Sequence, residues 1–205
     1  MKIITVSREF GSGGRELGKR LADELGFAYY DKEIISEIAK EEGLCEDYVE
    51  RMLDSPAGFG FSISYSHSFA MIQNINTTPQ LLAKQHNIIK RLAEKGNCII
   101  VGRGADVILS EYSPFKIFVH ADIASKIERC RKRGTQGEDL SDKELQRKIK
   151  KIDRSRAENY NYLSDVSWGD KSAYDLCINT TNMEIKKIVP LVAEYARVWF
   201  DNKQQ

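Results

Sequence analysis

Apolar positions along the chain fall into short, β-branched runs separated by longer stretches with helical spacing. Lys2 to Val6 reads as a buried strand. From Glu16 to Leu25, Leu17, Leu21 and Leu25 recur every four residues and mark one face of a helix, with Gly26 as its stop. Phe27 to Tyr30 reads as a second strand ending at Asp31. Lys32 to Glu42 and Cys45 to Leu53 read as helices parted by Gly43. Pro79 to Lys95 is a long helix with proline in its first turn and Gly96 at its end. Cys98 to Val101 and Phe115 to Ala121 are the third and fourth strands. Ile123 to Arg133 is a basic helix stopped by Gly134. Ser141 to Tyr162 is a helix whose Ser141 and Glu144 spell a capping box. Asp175 to Asn179 is a fifth strand, and Met183 to Phe200 closes the chain as a helix whose Val192, Tyr195, Val198 and Trp199 read as core.

Strands alternating with helices need crossover connections, so the pattern predicts an α/β fold with a five-stranded parallel sheet covered on both faces. The stretch from Asp54 to Thr78, rich in serine, glycine and asparagine, breaks the pattern and reads as a flexible insertion of the kind that serves as a lid or binding loop. No repeat and no linker divides the chain, and 1–205 is expected to form a single domain.

Hydrophobic residues at 41% and charged residues at 30% exclude a disordered chain, and no run approaches the length of a spanning helix. Lys plus Arg number 31 against 30 for Asp plus Glu, a balance unlike that of a general nucleic-acid binder. Cys45, Cys98, Cys130 and Cys177 lie far apart and show no zinc or redox spacing. With an opening too soon polar for a signal peptide, they predict reduced thiols in a cytoplasmic protein.

The candidate chemistry sits between the first strand and its helix, in Ser7-Arg8-Glu9-Phe10-Gly11-Ser12-Gly13-Gly14-Arg15-Glu16. Glycines there let backbone N–H groups converge on an anion at a helix N-terminus. The standard loop, G-x-x-x-x-G-K-[ST], is not met. With Gly14 as its last glycine, Arg15 replaces the lysine and Glu16 the hydroxyl. With Arg8 at its first position, Gly14 falls on the lysine and Arg15 one place later. A dinucleotide turn, with Gly11, Gly13 and Asp31 twenty residues on, is a competing reading. Glu16 in place of its third glycine and the five-residue delay after Val6 count against it. A purely structural glycine turn is the third reading.

The segment Ile4-Thr5-Val6-Ser7-Arg8-Glu9-Phe10-Gly11-Ser12-Gly13-Gly14-Arg15 resembles the opening of the cytidylate kinase-like family, a branch of the nucleoside monophosphate kinases. Tyr29-Tyr30-Asp31-Lys32-Glu33-Ile34-Ile35 and Ile99-Ile100-Val101-Gly102-Arg103-Gly104-Ala105-Asp106 resemble later family segments. So do Ile152-Asp153-Arg154-Ser155-Arg156-Ala157-Glu158-Asn159-Tyr160 and Tyr174-Asp175-Leu176-Cys177-Ile178-Asn179-Thr180, all in family order. The resemblance implies a P-loop kinase-type three-layer fold with a monophosphate-binding insertion and a lid at about 129–156. It also implies transfer of the ATP γ-phosphoryl group to CMP or dCMP with Mg²⁺. This sequence departs from the family pattern in two places: the loop lacks Gly-Lys-[ST], and Gly102-Arg103-Gly104 moves the acid of the turn to Asp106.

Phosphoryl transfer needs positioning and positive charge more than covalent chemistry. Gly11, Ser12, Gly13, Gly14, Arg15 and Glu16 are the candidates for the ATP phosphates. Arg15, with Arg129 and Arg133 from the basic helix, is the candidate catalytic set, and Lys126 shares the face of those two. Asp31, Arg103, Asp153 and Arg156 are candidates for the acceptor. Asp153 and Arg156, three apart, present a carboxylate for sugar or base and a guanidinium for phosphate on one helix face. Each has a plain structural alternative: ion pairs, a helix cap at Asp31, a solvated basic helix end. Lys84 and His86 are weaker candidates, and Tyr160, Tyr162 and Trp168 read as core with base stacking as the alternative. The expected partners are small-molecule nucleotides, with no nucleic acid and no membrane. The competing functions are a nucleotide-binding regulatory protein with little or no transfer, and a kinase for another small substrate.

Overall fold

The computed structural model describes residues 1–54, 77–133 and 140–203. The chain runs β1 (Ile3–Arg8), α1 (Gly14–Leu25), β2 (Ala28–Tyr30), α2 (Glu33–Glu42), α3 (Glu46–Asp54) and α4 (Thr77–Glu94). It continues through β3 (Cys98–Val101), α5 (Ala105–Ile108), β4 (Phe115–His120), α6 (Ile123–Lys132), α7 (Asp142–Leu163), β5 (Leu176–Asn179) and α8 (Ile185–Asn202). The five strands are all parallel, in the order β2-β3-β1-β4-β5.

The period of two along the strands builds the three layers. In β1 and β3, Ile3, Cys98 and Ile100 face one cluster with Ile34, Ile38, Ile88 and Ile89 of α2 and α4. Ile4, Val6, Ile99 and Val101 face the other, with Leu17 and Leu21 of α1 and Ile188 and Val192 of α8. Both faces of the sheet are thus dry, which explains why these strands read as continuous apolar runs. Gly18 lies where α1 crosses the sheet; a Cβ there would stand 2.8 Å from Val101 Cγ2.

β1 is central, and its neighbours are reached by connections running to opposite sides. Such a reversal opens a crevice beyond the carboxyl ends of the strands, where ligands of open α/β sheets bind. Arg8, Asp31 and Gly102 all emerge there.

Several expectations shift in detail. The helix after β1 opens at Gly14 rather than Glu16, and a short helix, α5, follows the Gly102–Gly104 turn. Asp54, Thr77 and Thr78 belong to helices, and the remainder of the expected 54–78 insertion, 55–76, lies outside the described residues, as does the Gly134 stop. The capping box forms as predicted: Ser141 Oγ accepts from the Glu144 N–H, and the Glu144 carboxylate accepts from the Ser141 N–H. On α8, Val192 is buried as expected, but Tyr195 and Val198 are 47% and 51% exposed. A helix buries one stripe on a flat sheet, and these two lie beyond its edge. The four cysteines are free thiols, two of them exposed.

Candidate functional site

The glycine turn forms a tied-down cradle. Gly13 is the left-handed N-cap of α1 at φ 87° and has no side chain to cap the helix, so first-turn N–H groups are left open. Its neighbours fix the turn from all sides. The Glu9 N–H donates to Val119 O at 2.9 Å and the Phe10 N–H to Asp153 Oδ1 at 2.6 Å. The hydroxyls of Ser12 and Thr180 donate to Glu9 O and Ser12 O, at 2.8 and 2.6 Å. At Gly11, φ is 76°, and a Cβ would meet Lys126 O at 3.0 Å. Because the helix opens at Gly14 behind Gly13, the register with Arg8 first and Gly14 on the lysine position is the one adopted.

Two cavities flank this turn. One, of about 980 Å³, is walled by Gly11, Gly13, Gly14, Arg129 and Arg133. The other, an open crevice of about 940 Å³, lies beyond the ends of β1, β2 and β3. Three residues line both, and all are arginines: Arg8, Arg15 and Arg156.

Each sequence candidate has a definite place. Arg15 Nε lies 2.5 Å from Asp31 Oδ2, so this side chain leaves the loop and joins the end of β2. Arg103 stands at φ 62° between two glycines that also have positive φ, and its Nη1 is 2.6 Å from Asp54 Oδ1. A non-glycine residue held there is strained, a feature that clusters at ligand sites. Arg156 donates to Arg8 O at 3.2 Å and lies over the Phe10 ring. Asp153 is 3.9 Å from Arg156, but its carboxylate is turned to Lys126 and the loop, and it does not line the acceptor-side cavity. Burial pushes its pKa up, against the pull of the Phe10 N–H and Lys126. Arg129 holds backbone rather than open space, donating to Gly11 O, Thr180 O and Met183 O. Arg133 and Arg20 pair with Glu16, at 3.2 and 2.9 Å, so that carboxylate faces outward along α1. Arg129 and Arg133 also line a third groove with Met183, Glu184 and Ile185, continuous with the loop cavity.

Four residues that sequence reasoning left out of the candidate site matter here: Arg8, Lys126, Asp106 and Gln85. Arg8 is largely enclosed, its side chain 14% exposed, with Asp31 3.8 Å away. Burial first, then Arg156, lowers its pKa to about 9, so it stays charged at neutral pH. Its signal was the loop pattern itself, read at the first position. Lys126 is 7% exposed and bridges Glu9 at 2.7 Å and Asp153 at 3.1 Å. Asp106 is buried, accepts from Tyr160 Oη at 2.8 Å and from Ser7 Oγ, and has its pKa raised by burial. Tyr160 is therefore a tether from α7 to α5. Gln85, between the two weaker candidates, lines the acceptor-side cavity, and among the described residues its Oε1 has no partner. Lys84 is paired with Glu41 and Glu42 instead. Tyr162 and Trp168 both reach the cavity wall, and Trp168 packs edge-on against Phe118.

The chain's own residues do not fit a resident magnesium ion. Glu9, Glu16, Asp31 and Asp153 are each engaged by a cation, and no group of three potential ligands occurs among the described residues. An ion that retains most of its water needs one or two carboxylates together with substrate phosphates.

Comparison with known proteins agrees with this geometry. The profile of the cytidylate kinase-like family matches residues 3–182. The cytidylate kinase of Pyrococcus horikoshii is 27% identical over 191 residues, 93% of this chain and 85% of that one. A cytidylate kinase of Saccharolobus islandicus is 25% identical over 203 residues, 98% and 94% of the two chains. An uncharacterized protein from Eubacterium ventriosum superposes with a TM-score of 0.69 at 26% identity, over 96% of this chain and 99% of that one. Shikimate kinase from Bacteroides thetaiotaomicron shares the fold, with a TM-score of 0.59 at 16% identity over 96% and 98%. With a glycine cradle at the end of its central parallel strand, the chain has the fold of P-loop kinases and belongs to the cytidylate kinase-like family.

Proposed function

We propose that the protein transfers the γ-phosphoryl group of ATP to CMP or dCMP. The observation that carries this reading is the junction of the two cavities at Arg8, Arg15 and Arg156. ATP lies with its triphosphate in the glycine cradle and its base toward the groove by Met183 and Ile185. The acceptor lies in the opposite cavity. Among the described residues, five cations line that cavity (Arg8, Arg15, Lys32, Arg103, Arg156) against Asp31, Glu50 and Asp54. The surplus of positive charge matches a phosphate monoester dianion.

The reaction needs no general base. An oxygen of the acceptor phosphate, ionised at neutral pH, bonds to the γ-phosphorus, and the bond to the β–γ bridging oxygen breaks. The electron pair leaves on the β-phosphate of ADP, and no proton moves. Gln85 Oε1, without a partner among the described residues, favours a base that carries an exocyclic amine. The partners are small nucleotides of the cytoplasm, with magnesium arriving on ATP.

The test is ADP release with ATP and Mg²⁺ across CMP, dCMP, UMP and AMP. The reading predicts turnover with CMP or dCMP at the highest kcat/KM. ATP binding by calorimetry with no diphosphate formed from any acceptor contradicts it and favours a nucleotide-binding regulatory protein.

A further inference from the structure

The loop that defines this fold carries a lysine beside its last glycine, and that lysine reaches the β- and γ-phosphates. Here that position is Gly14, and the first position, ordinarily glycine, is Arg8. The two departures are linked in space. A Cβ on Gly14 would stand 2.5 Å from Arg8 Cβ and 3.0 Å from Arg8 Cγ. Each of these distances is too close for two side chains to share. A lysine at 14 is incompatible with the arginine at 8, and glycine at 14 is what gives the arginine its room.

The head of Arg8 goes where a transferring group would pass. It lines the cradle and the acceptor cavity alike. It lies over Gly102, where any Cβ would fall on its guanidinium, so a second glycine keeps its path open. Burial and three neighbouring guanidinium groups destabilise its charge, and Asp31 is the one carboxylate acting against them. Yet Asp31 is closer to Arg15. A largely enclosed cation so weakly compensated is poised for an anion.

We infer that Arg8 and Gly14 are a reciprocal exchange: the arginine at the first loop position takes the role of the missing lysine on the transferring phosphoryl group. The inference rests on the kinase reading given above. A guanidinium offers two parallel donors where an ammonium offers a point charge, so Arg8 can hold a γ-phosphoryl oxygen and an acceptor phosphate oxygen together. It does so from the strand side of the cradle, while Arg15 and Arg156 close the other sides.

The test is a cycle of Arg8→Gly, Gly14→Lys and the double variant, each checked first for a native melting curve. Steady-state transfer and ATP dissociation constants are then measured for all four proteins. Arg8→Gly is expected to lower kcat at least about 100-fold, in line with the loss of one donor to a transition-state oxygen. Gly14→Lys alone is expected to lose both ATP affinity and thermal stability, because the two side chains collide. The double variant is expected to regain at least about tenfold in kcat over Arg8→Gly, because it restores the first glycine and the lysine of the ordinary loop. A purely structural Arg8 would not be rescued in this way. A folded Arg8→Gly enzyme within about threefold of the wild type overturns the inference, as does a folded double variant no better than Arg8→Gly in both kcat and ATP affinity. If the wild type forms no diphosphate, the kinase reading fails separately. The exchange is then decided by ATP affinity alone, supported if Arg8→Gly weakens it and the double variant recovers it, and overturned if it stays unchanged.

Discussion

At the scale of single residues, arginine placement decides what the crevice can do. Arg15 was legible from its place beside the glycines, but its partner was not. It pairs with Asp31 because the end of β2 lies next to the start of α1, a proximity only the sheet order supplies. Arg15→Ala is expected to lower kcat/KM at least tenfold, about 1.4 kcal/mol of transition-state stabilisation. An unchanged value would make the pair purely structural. Asp106 carries a second prediction. Burial raises its folded-state pKa above the unfolded value, so the native state holds the proton more tightly. That contribution is complete below the unfolded pKa near about 3.9 and is lost as pH rises through the folded pKa. Relative to Asp106→Asn, the wild type should therefore lose stability as pH rises above about 4, no more steeply than about 1.4 kcal/mol per pH unit. Urea unfolding across that range reads the difference, and a gap independent of pH would contradict it.

At the scale of elements, the cradle holds its shape because α6 and α7 reach into it. Lys126 of α6 clamps Glu9 of the loop and Asp153 of α7, and Arg129 draws the loop carbonyls toward α8. Lys126→Met would leave Glu9 without its cation and Asp153 with only the more distant Arg156, and should cost about 3 kcal/mol in urea unfolding. A loss below about 1 kcal/mol would show that the clamp is dispensable. Sequence pattern alone put Lys126 with Arg129 and Arg133 on one face, which is correct, but helical spacing cannot say which of three cations turns inward. The same blindness explains α8, where period alone assigned Tyr195 and Val198 to the core. The strands, the capped α7 and the glycine stops were legible because local chemistry sets them. α5 was not, since four residues carry no periodic signal.

At the scale of the whole molecule, strand order makes the site. Only with β1 between β3 and β4 do Arg8, Asp31, Gly102 and Arg156 of α7 meet beyond the carboxyl ends of the strands. The family segments, in their order along the chain, pointed to this architecture before any contact was known. Those segments could not reveal that the loop cavity and the acceptor cavity touch through three guanidinium groups. Two nucleotides bound end to end would bring four or more phosphates to that junction.

A dinucleoside polyphosphate that joins adenosine to cytidine through five phosphates tests this arrangement most directly. Calorimetry should give one molecule bound per chain, at least tenfold tighter than ATP or CMP alone, with ATP and CMP each displaced by it but not by one another. No binding, or mutual displacement of ATP and CMP from a single shared site, would contradict the account.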